Sequence, residues 1–325
     1  MSAAPVPSEQ PAADAAGLRH MLYPYAGTKE YLDGVLAYVD EARAADASVV
    51  ICAPEDRCDL LRGYLREGDS VAFMDLTALG TNPGRLIPAW REWIDQHSDA
   101  GAVHGIGESV WSGRSAARLS ELQYHEWLLN VAFAGTPAWS LLCPYDTVGQ
   151  SEAATEALVR SHPLVWDGAA ITVAEHYTPG PYAFAQFAEP RGPYDEKQYT
   201  IHDLTTLREI VTDWALSQHL SADRTRDLML AVTEVASNSI RHGGGKGTLR
   251  VWVEDGALVC EFRDAGVIKD PMVGRVRPAS NQIGGCGLWF VHQLCDLVEI
   301  RSELTRGTCI RLHMDRPDGH GGEKA

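Results

Sequence analysis

Glu234 and Asn238 stand four residues apart in the stretch Leu230-Ala231-Val232-Thr233-Glu234-Val235-Ala236-Ser237-Asn238-Ser239-Ile240-Arg241-His242-Gly243. On a helix that spacing puts both side chains on one face. A carboxylate and a carboxamide so placed can do two jobs. Glu234 accepts a proton or orients an attacking hydroxyl. Asn238 offers a neutral oxygen suited to a hydrated Mg2+ that already carries phosphate ligands. The same pair also occurs as an ordinary solvated helix face, so its meaning depends on the residues C-terminal to it. Asp264-Ala265-Gly266 offers a carboxylate acceptor for an adenine amino group, with a plain turn as the alternative. Gly284-Gly285-Cys286-Gly287-Leu288 then opens a helix. Glycines there let backbone N–H groups approach a phosphate, and the helix dipole favours the anion.

The elements that must position these groups are legible from period. Leu228, Val232, Val235 and Ile240 recur at helical spacing, and the Gly243-Gly244-Gly245 run stops that helix. Residues Thr248 to Val253 and Ala257 to Phe262 alternate apolar and polar, and Asp255-Gly256 between them is a two-residue hairpin signal. The second of these strands runs directly into Asp264. The glycine-led helix carries Leu288, Val291, Leu294, Cys295 and Val298 on one side. Val298-Glu299-Ile300-Arg301 and Thr308 to Met314 read as two strands around a turn ending Arg306-Gly307-Thr308.

This ordered set resembles the GHKL ATPase fold, whose N, G1 and G2 boxes match Glu234/Asn238, Asp264/Gly266 and Gly285/Gly287. With an N box reading Glu-Val-Ala-Ser-Asn-Ser-Ile-Arg-His-Gly, the segment is similar to the anti-sigma regulatory factor, or serine-kinase, branch. The likeness covers roughly residues 200–315. It implies an α+β (Bergerat-type) ATP-binding sandwich that takes ATP and Mg2+. It also implies sequestration of a sigma factor and phosphorylation of a serine on an anti-anti-sigma (STAS) protein. By the same resemblance Glu234 is catalytic and Asn238 holds the metal. Asp264 reads adenine, and Gly266, Gly285, Gly287, Leu288 and Thr308 complete the nucleotide-binding set. Two positions depart from the pattern. Ile268 stands where the G1 box often has a second glycine, and Ile283 stands where some relatives carry a basic residue. Arg275 and Arg277 are the nearby candidates to replace that charge.

The chain has 325 residues, with 28 Lys+Arg against 44 Asp+Glu and a net charge of −16. That length accommodates two domains with real cores. The acidic balance argues against a nucleic-acid footprint, which needs a basic face, and is compatible with a basic protein partner. No run of about twenty apolar residues predicts a membrane span, and no signal-peptide pattern opens the chain. Seven cysteines without a Cys-x-x-Cys pair suit reduced thiols in the cytoplasm.

Before the nucleotide segment, residues 1–17 read as a disordered leader, 18–175 as a sensory domain and 176–199 as a proline-containing linker; after it, 316–325 read as a tail. Strands and helices alternate through 18–175, which predicts α/β layers with a mostly parallel sheet. Gly107 to Ser115 resembles a phosphate loop but has the wrong spacing and Arg for Lys, so a helix-capping loop is expected. His125-Glu126-Trp127-Leu128-Leu129-Asn130 resembles the phospho-acceptor box of histidine kinases. Such a histidine belongs to a long dimerising hairpin, whereas these surroundings read α/β, so a structural or pocket role is expected. Cys143, Tyr145 and Asp146 end a buried strand, where α/β sheets place ligands, although Pro144 alone also explains the stop. With Gly107-Glu108, His125-Glu126, Cys-Pro-Tyr-Asp and His162-Pro163, residues 18–170 resemble the MEDS sensory domain, which is similar to RecA-like folds without the ATPase loop. That implies an input role and an undefined small ligand. Two other functions stay open: a non-catalytic, nucleotide-dependent partner-switching module, and a histidine kinase acting through His125. A homodimer is also left open.

Overall fold

The computed structural model describes residues 17–66, 70–79, 82–97, 101–108, 115–136, 139–148, 152–179, 187–279 and 285–316. Residues 1–16 of the leader, 109–114 of the rejected phosphate loop, 180–186 of the linker, Ile283, Gly284 and the tail beyond Arg316 lie outside the described residues.

The first half builds β1 (Arg19–Tyr25), α1 (Gly27–Ala44), β2 (Ser48–Ala53), α2 (Glu55–Arg62), β3 (Val71–Asp75) and α3 (Leu76–Leu79). It continues with α4 (Leu86–His97), β4 (Val103–Gly107), α5 (Ala116–Ala132), β5 (Trp139–Asp146), α6 (Glu152–Ser161), β6 (Leu164–Trp166) and β7 (Ile171–Val173). The sheet order is β3-β2-β4-β5-β1-β6-β7, parallel except where β7 meets β6. Strands β2 and β5 are buried nearly end to end, because helices cover both faces of a parallel sheet. Val35, Tyr38 and Leu61 of α1 and α2 pack on one face, while Trp90, Ile94, Leu128 and Leu129 of α4 and α5 pack on the other.

The second half builds β8 (Asp195–Thr200), α7 (Leu204–Ser217), α8 (Ala222–His242), β9 (Lys246–Glu254), β10 (Ala257–Asp264), α9 (Gly287–Leu294), β11 (Leu297–Glu303) and β12 (Gly307–Asp315). Its sheet, β11-β12-β10-β9-β8, is antiparallel throughout. The Ser221 hydroxyl caps α8 by accepting from the Arg224 amide at 3.3 Å, and Gly243 ends it. Asp255 (φ 47°) and Gly256 (φ 77°) form the expected two-residue turn. Two expectations need correction. Residues 195–199, read as linker from the nearby prolines, already form edge strand β8, and Tyr199 is buried with its ring against Phe262. The glycine-led helix is shorter than its apolar spacing suggests. Cys295 is already extended and Val298 lies in β11, so the spacing spans a helix end and a buried strand.

Helices α7, α8 and α9 cover one face of this second sheet through Val211, Leu228, Val232, Val235 and Val291, packed on Leu258, Cys260, Phe262 and Leu312. The other face is charged and buried, and its charges are paired, as burial demands. Glu261 takes Arg263 at 2.6 Å and Arg311 at 2.7 Å, and His313 lies 2.9 Å from Glu299. The first half meets the second here. Glu121 of α5 binds the buried Arg275 and also Arg301, and Arg118 makes a two-oxygen contact with Asp315 at 2.7 and 2.9 Å. A second grip falls on α9. Asn82 Nδ2 donates to the His292 carbonyl at 3.0 Å, and Arg85 donates to the carbonyls of His292, Gln293 and Cys295 at 2.8, 2.8 and 2.9 Å. Those carbonyls are the ones a helix C-terminus leaves unsatisfied. Among the described residues no helix is long and apolar enough to cross a membrane.

Candidate functional site

Alternation along β10 turns Leu258, Cys260 and Phe262 toward the helices and brings Asp264 to the same side at the strand's end. Thr308, the register partner of Asp264, is delivered the same way by β12, two residues before the buried Ile310. Helix α8 places Glu234 and Asn238 beside its buried Val235–Ser239 stripe. Helix α9 begins at Gly287, with Leu288 buried in its first turn. Glu234, Asn238, Asp264, Gly266, Gly285, Gly287, Leu288 and Thr308 thus line one pocket of about 340 Å³. That volume sits at the lower end of roughly 300–1,000 Å³ for small-molecule sites. Val267, Ile268, Val273 and Ile310 add an apolar wall.

The loop after β10 is braced. Asp264 Oδ1 accepts from the Gly266 amide at 2.8 Å, and the Ala265 amide donates to the Gly243 carbonyl at 3.2 Å. Thr308 Oγ1 donates to the Gly266 carbonyl at 2.9 Å and lies 2.8 Å from Ser302 Oγ. Ser302 in turn accepts from the Ile268 amide at 2.8 Å. Two of the glycines are closely faced: a Cβ on Gly287 would displace the Glu234 side chain, and one on Gly266 would stand 2.5 Å from the His242 carbonyl, which cannot give way as a side chain can. Glu234 and Asn238 have no hydrogen-bond partner among the described residues, so their polar atoms are available to a ligand.

Three contributors escaped the sequence reading. Arg241 and His242 also line the pocket; they follow Asn238 by three and four residues, so extending the helical period by one turn finds them. Ser302 had no such signal, because its partners Thr308 and Ile268 come from elsewhere in the chain. The suggested phosphate cations are corrected. Arg275 is 2% exposed and paired with Glu121, since a buried guanidinium settles on a buried carboxylate, and Arg277 turns to Glu92 at 3.4 Å. His125 is buried, and burial lowers its imidazole to about 4, the nearby Glu126 opposing the shift. Neutral and inside the domain, it lacks the exposure of a phospho-acceptor. Cys143 and Tyr145 are likewise buried at the end of β5, with Asp146 at the rim.

An α/β domain with a mostly parallel sheet joined to an antiparallel α+β domain defines the class, and family comparisons give it names. Residues 19–163 match the MEDS family, the methanogen/methylotroph, DcmR sensory domain, and residues 198–314 match the histidine kinase-like ATPase domain. The chain is a MEDS domain followed by a histidine kinase-like ATPase domain. No curated protein matches it. Among solved structures, the RsbU and RsbW domains of Rv1364c from Mycobacterium tuberculosis are similar at 17% identity, over 38% of this chain and 32% of that one, with a TM-score of 0.29. The chain thus spans about a third of that structure, and the likeness carries no functional weight.

Proposed function

We propose that this protein is an anti-sigma regulator. In this reading it binds ATP·Mg2+ in the 340 Å³ pocket and phosphorylates a serine of an anti-anti-sigma STAS protein, under the influence of its MEDS domain. The observation that carries the proposal is the convergence of the N-box, G1 and G2 residues on that pocket, with Glu234 and Asn238 unpartnered among the described residues. The donor set fits the nucleotide and its metal. Asp264 keeps its second oxygen for an adenine amino group, the glycines leave room for phosphate against backbone, and Asn238 offers the neutral oxygen a hydrated Mg2+ accepts. Mg2+ supplies charge neutralisation on the phosphates. Glu234 orients the incoming serine hydroxyl and takes its proton, in a reaction that depends on positioning more than on covalent chemistry.

The test is incubation with γ-labelled ATP, Mg2+ and STAS proteins of the same genome. Serine-linked label on one of them, abolished by Asn238→Ala, is the expected result. ATP binding without label on any partner supports a second reading, a nucleotide-dependent partner-switching module. That reading is favoured by one observation: neither Arg275 nor Arg277 reaches the pocket. Failure to bind ATP overturns both.

A further inference from the structure

Four donors from four segments meet inside the MEDS domain: His20 of β1, Glu126 of α5, Cys143 of β5 and His162 just before β6. All are buried, the two histidines completely. His20 Nε2 lies 3.3 Å from Cys143 Sγ and 3.4 Å from Glu126 Oε2. The same carboxylate oxygen is 3.5 Å from His162 Nε2 and 3.7 Å from Cys143 Sγ. The ligand atoms all lie within 4.8 Å of one another.

The surrounding hydrogen bonds fix the Nδ1 side of both imidazoles. Asn130 Nδ2 donates to the carbonyls of Glu126 at 3.4 Å and Ser161 at 2.7 Å. Its Oδ1 therefore faces His20 Nδ1, 3.1 Å away, and that nitrogen must be the donor. His162 Nδ1 sits 2.7 Å from the Leu158 carbonyl and must donate as well. As neutral imidazoles both rings point an Nε2 lone pair into the cluster, and His162 Nε2 has no hydrogen-bond partner among the described residues. Of the four ligand groups themselves, with neutral imidazoles and a carboxylate, only the Cys143 thiol brings a hydrogen into the cluster. Desolvated lone pairs facing one another are costly, and a cation between them removes the cost.

We propose that this cluster is a four-coordinate site for a divalent zinc-class metal ion, with His20 Nε2, His162 Nε2, Cys143 Sγ and a Glu126 oxygen as ligands. Tetrahedral bonds of about 2.0–2.3 Å put neighbouring donors roughly 3.3–3.7 Å apart, as the four close contacts are. Two neutral imidazoles with one carboxylate and one thiolate cancel a 2+ charge, so no net charge is buried. Mixed N, O and S donors favour Zn2+ over Mg2+ or Ca2+. The Asn130 and Leu158 contacts are the outer hydrogen bonds that orient metal-bound histidines. Four protein ligands leave no open position, so the ion ties β1, β5, α5 and the start of β6 together.

The full-length protein, stripped with a chelator, is titrated with Co2+ as the probe and then with Zn2+. One Co2+ per chain is expected, with the strong visible absorption of a four-coordinate ion and a thiolate-to-cobalt charge-transfer band, both erased by Zn2+. Cys143→Ser removes the charge-transfer band, whereas Glu126→Gln keeps it and weakens binding about tenfold or more. Absence of stoichiometric binding by the folded, stripped chain overturns the site, as does a thiolate band that survives Cys143→Ser. Should stripping unfold the chain, metal analysis of untreated protein decides: one zinc per chain supports the site and none overturns it.

Discussion

Gly287 faces the carboxylate of Glu234, so that the Cβ of any side chain at 287 would begin in the space the Glu234 side chain now fills. The start of α9 thereby sets where the proposed catalytic carboxylate stands. Gly287→Ala is a clean test, because residue 287 is helical and needs no glycine backbone; only the steric clash remains. ATP affinity should fall about tenfold or more, equivalent to about 1.4 kcal/mol, with unchanged circular dichroism. Calorimetric titration giving the wild-type Kd would show that Glu234 moves aside without consequence.

Thr308→Val keeps shape but removes the hydroxyl that joins Gly266 to Ser302. The half-buried partners left behind should cost about 1 kcal/mol, and the loop carrying Asp264 should loosen. Urea unfolding measures the first effect. Hydrogen exchange at the Gly266 and Ile268 amides measures the second, and unaltered protection there would count against the brace.

His125 predicts a pH dependence of stability. Burial holds its imidazole at about 4, with Glu126 acting upward and Arg275 and His20 acting downward, against an ordinary value of 6.5. Its folded value is the lower one, so its contribution is intact above pH 6.5. As pH falls from 6.5 toward 4, the unfolded chain takes a proton that the folded chain refuses. Stability should therefore decline by up to about 1.4 kcal/mol per pH unit from this group. His125→Phe should flatten the stability–pH slope by one proton's worth in that window. Denaturant titrations at several pH values would expose an unchanged slope.

Glu121→Gln tests the seam between the two halves. It leaves Arg275, 2% exposed, without its carboxylate partner, and loss of one member of a buried ion pair costs roughly 3–5 kcal/mol. A marked drop in the thermal midpoint is expected. A midpoint within a degree of wild type would mean that solvent reaches this seam.

The convergence of much of the candidate pocket was legible because its residues sit at fixed offsets from strong periodic signals. Glu234 and Asn238 share one face of a helix fixed by the buried Val232 and Val235, beside that buried stripe, and Asp264 lies an even number of residues from the inward Leu258, Cys260 and Phe262. The parallel first sheet was equally legible from its alternation of strands and helices. Positions that depend on a distant partner were not. Arg275 looked like a phosphate ligand until Glu121 appeared beside it, and Ser302 has meaning only next to Thr308. The length of α9 was misread because Cys295 and Val298 continue an apolar spacing that a helix end and a strand reproduce equally well. The histidines, glutamate and cysteine of the first domain come from four segments, and no spacing rule unites them.

Helix α9 has its first residue in the pocket wall and its last carbonyls in the grasp of Asn82 and Arg85. At 1.5 Å per residue the two ends are about 12 Å apart, and the ring of His292 between them is wholly buried, pressed close on Gly84. Modular exchange therefore has a boundary condition. A foreign input domain grafted ahead of this ATPase domain would leave the end of α9 bare unless it brought its own equivalent of the Asn82-Pro83-Gly84-Arg85 turn. Chimeras that transplant this turn along with the new input domain are the ones expected to keep a well-formed pocket.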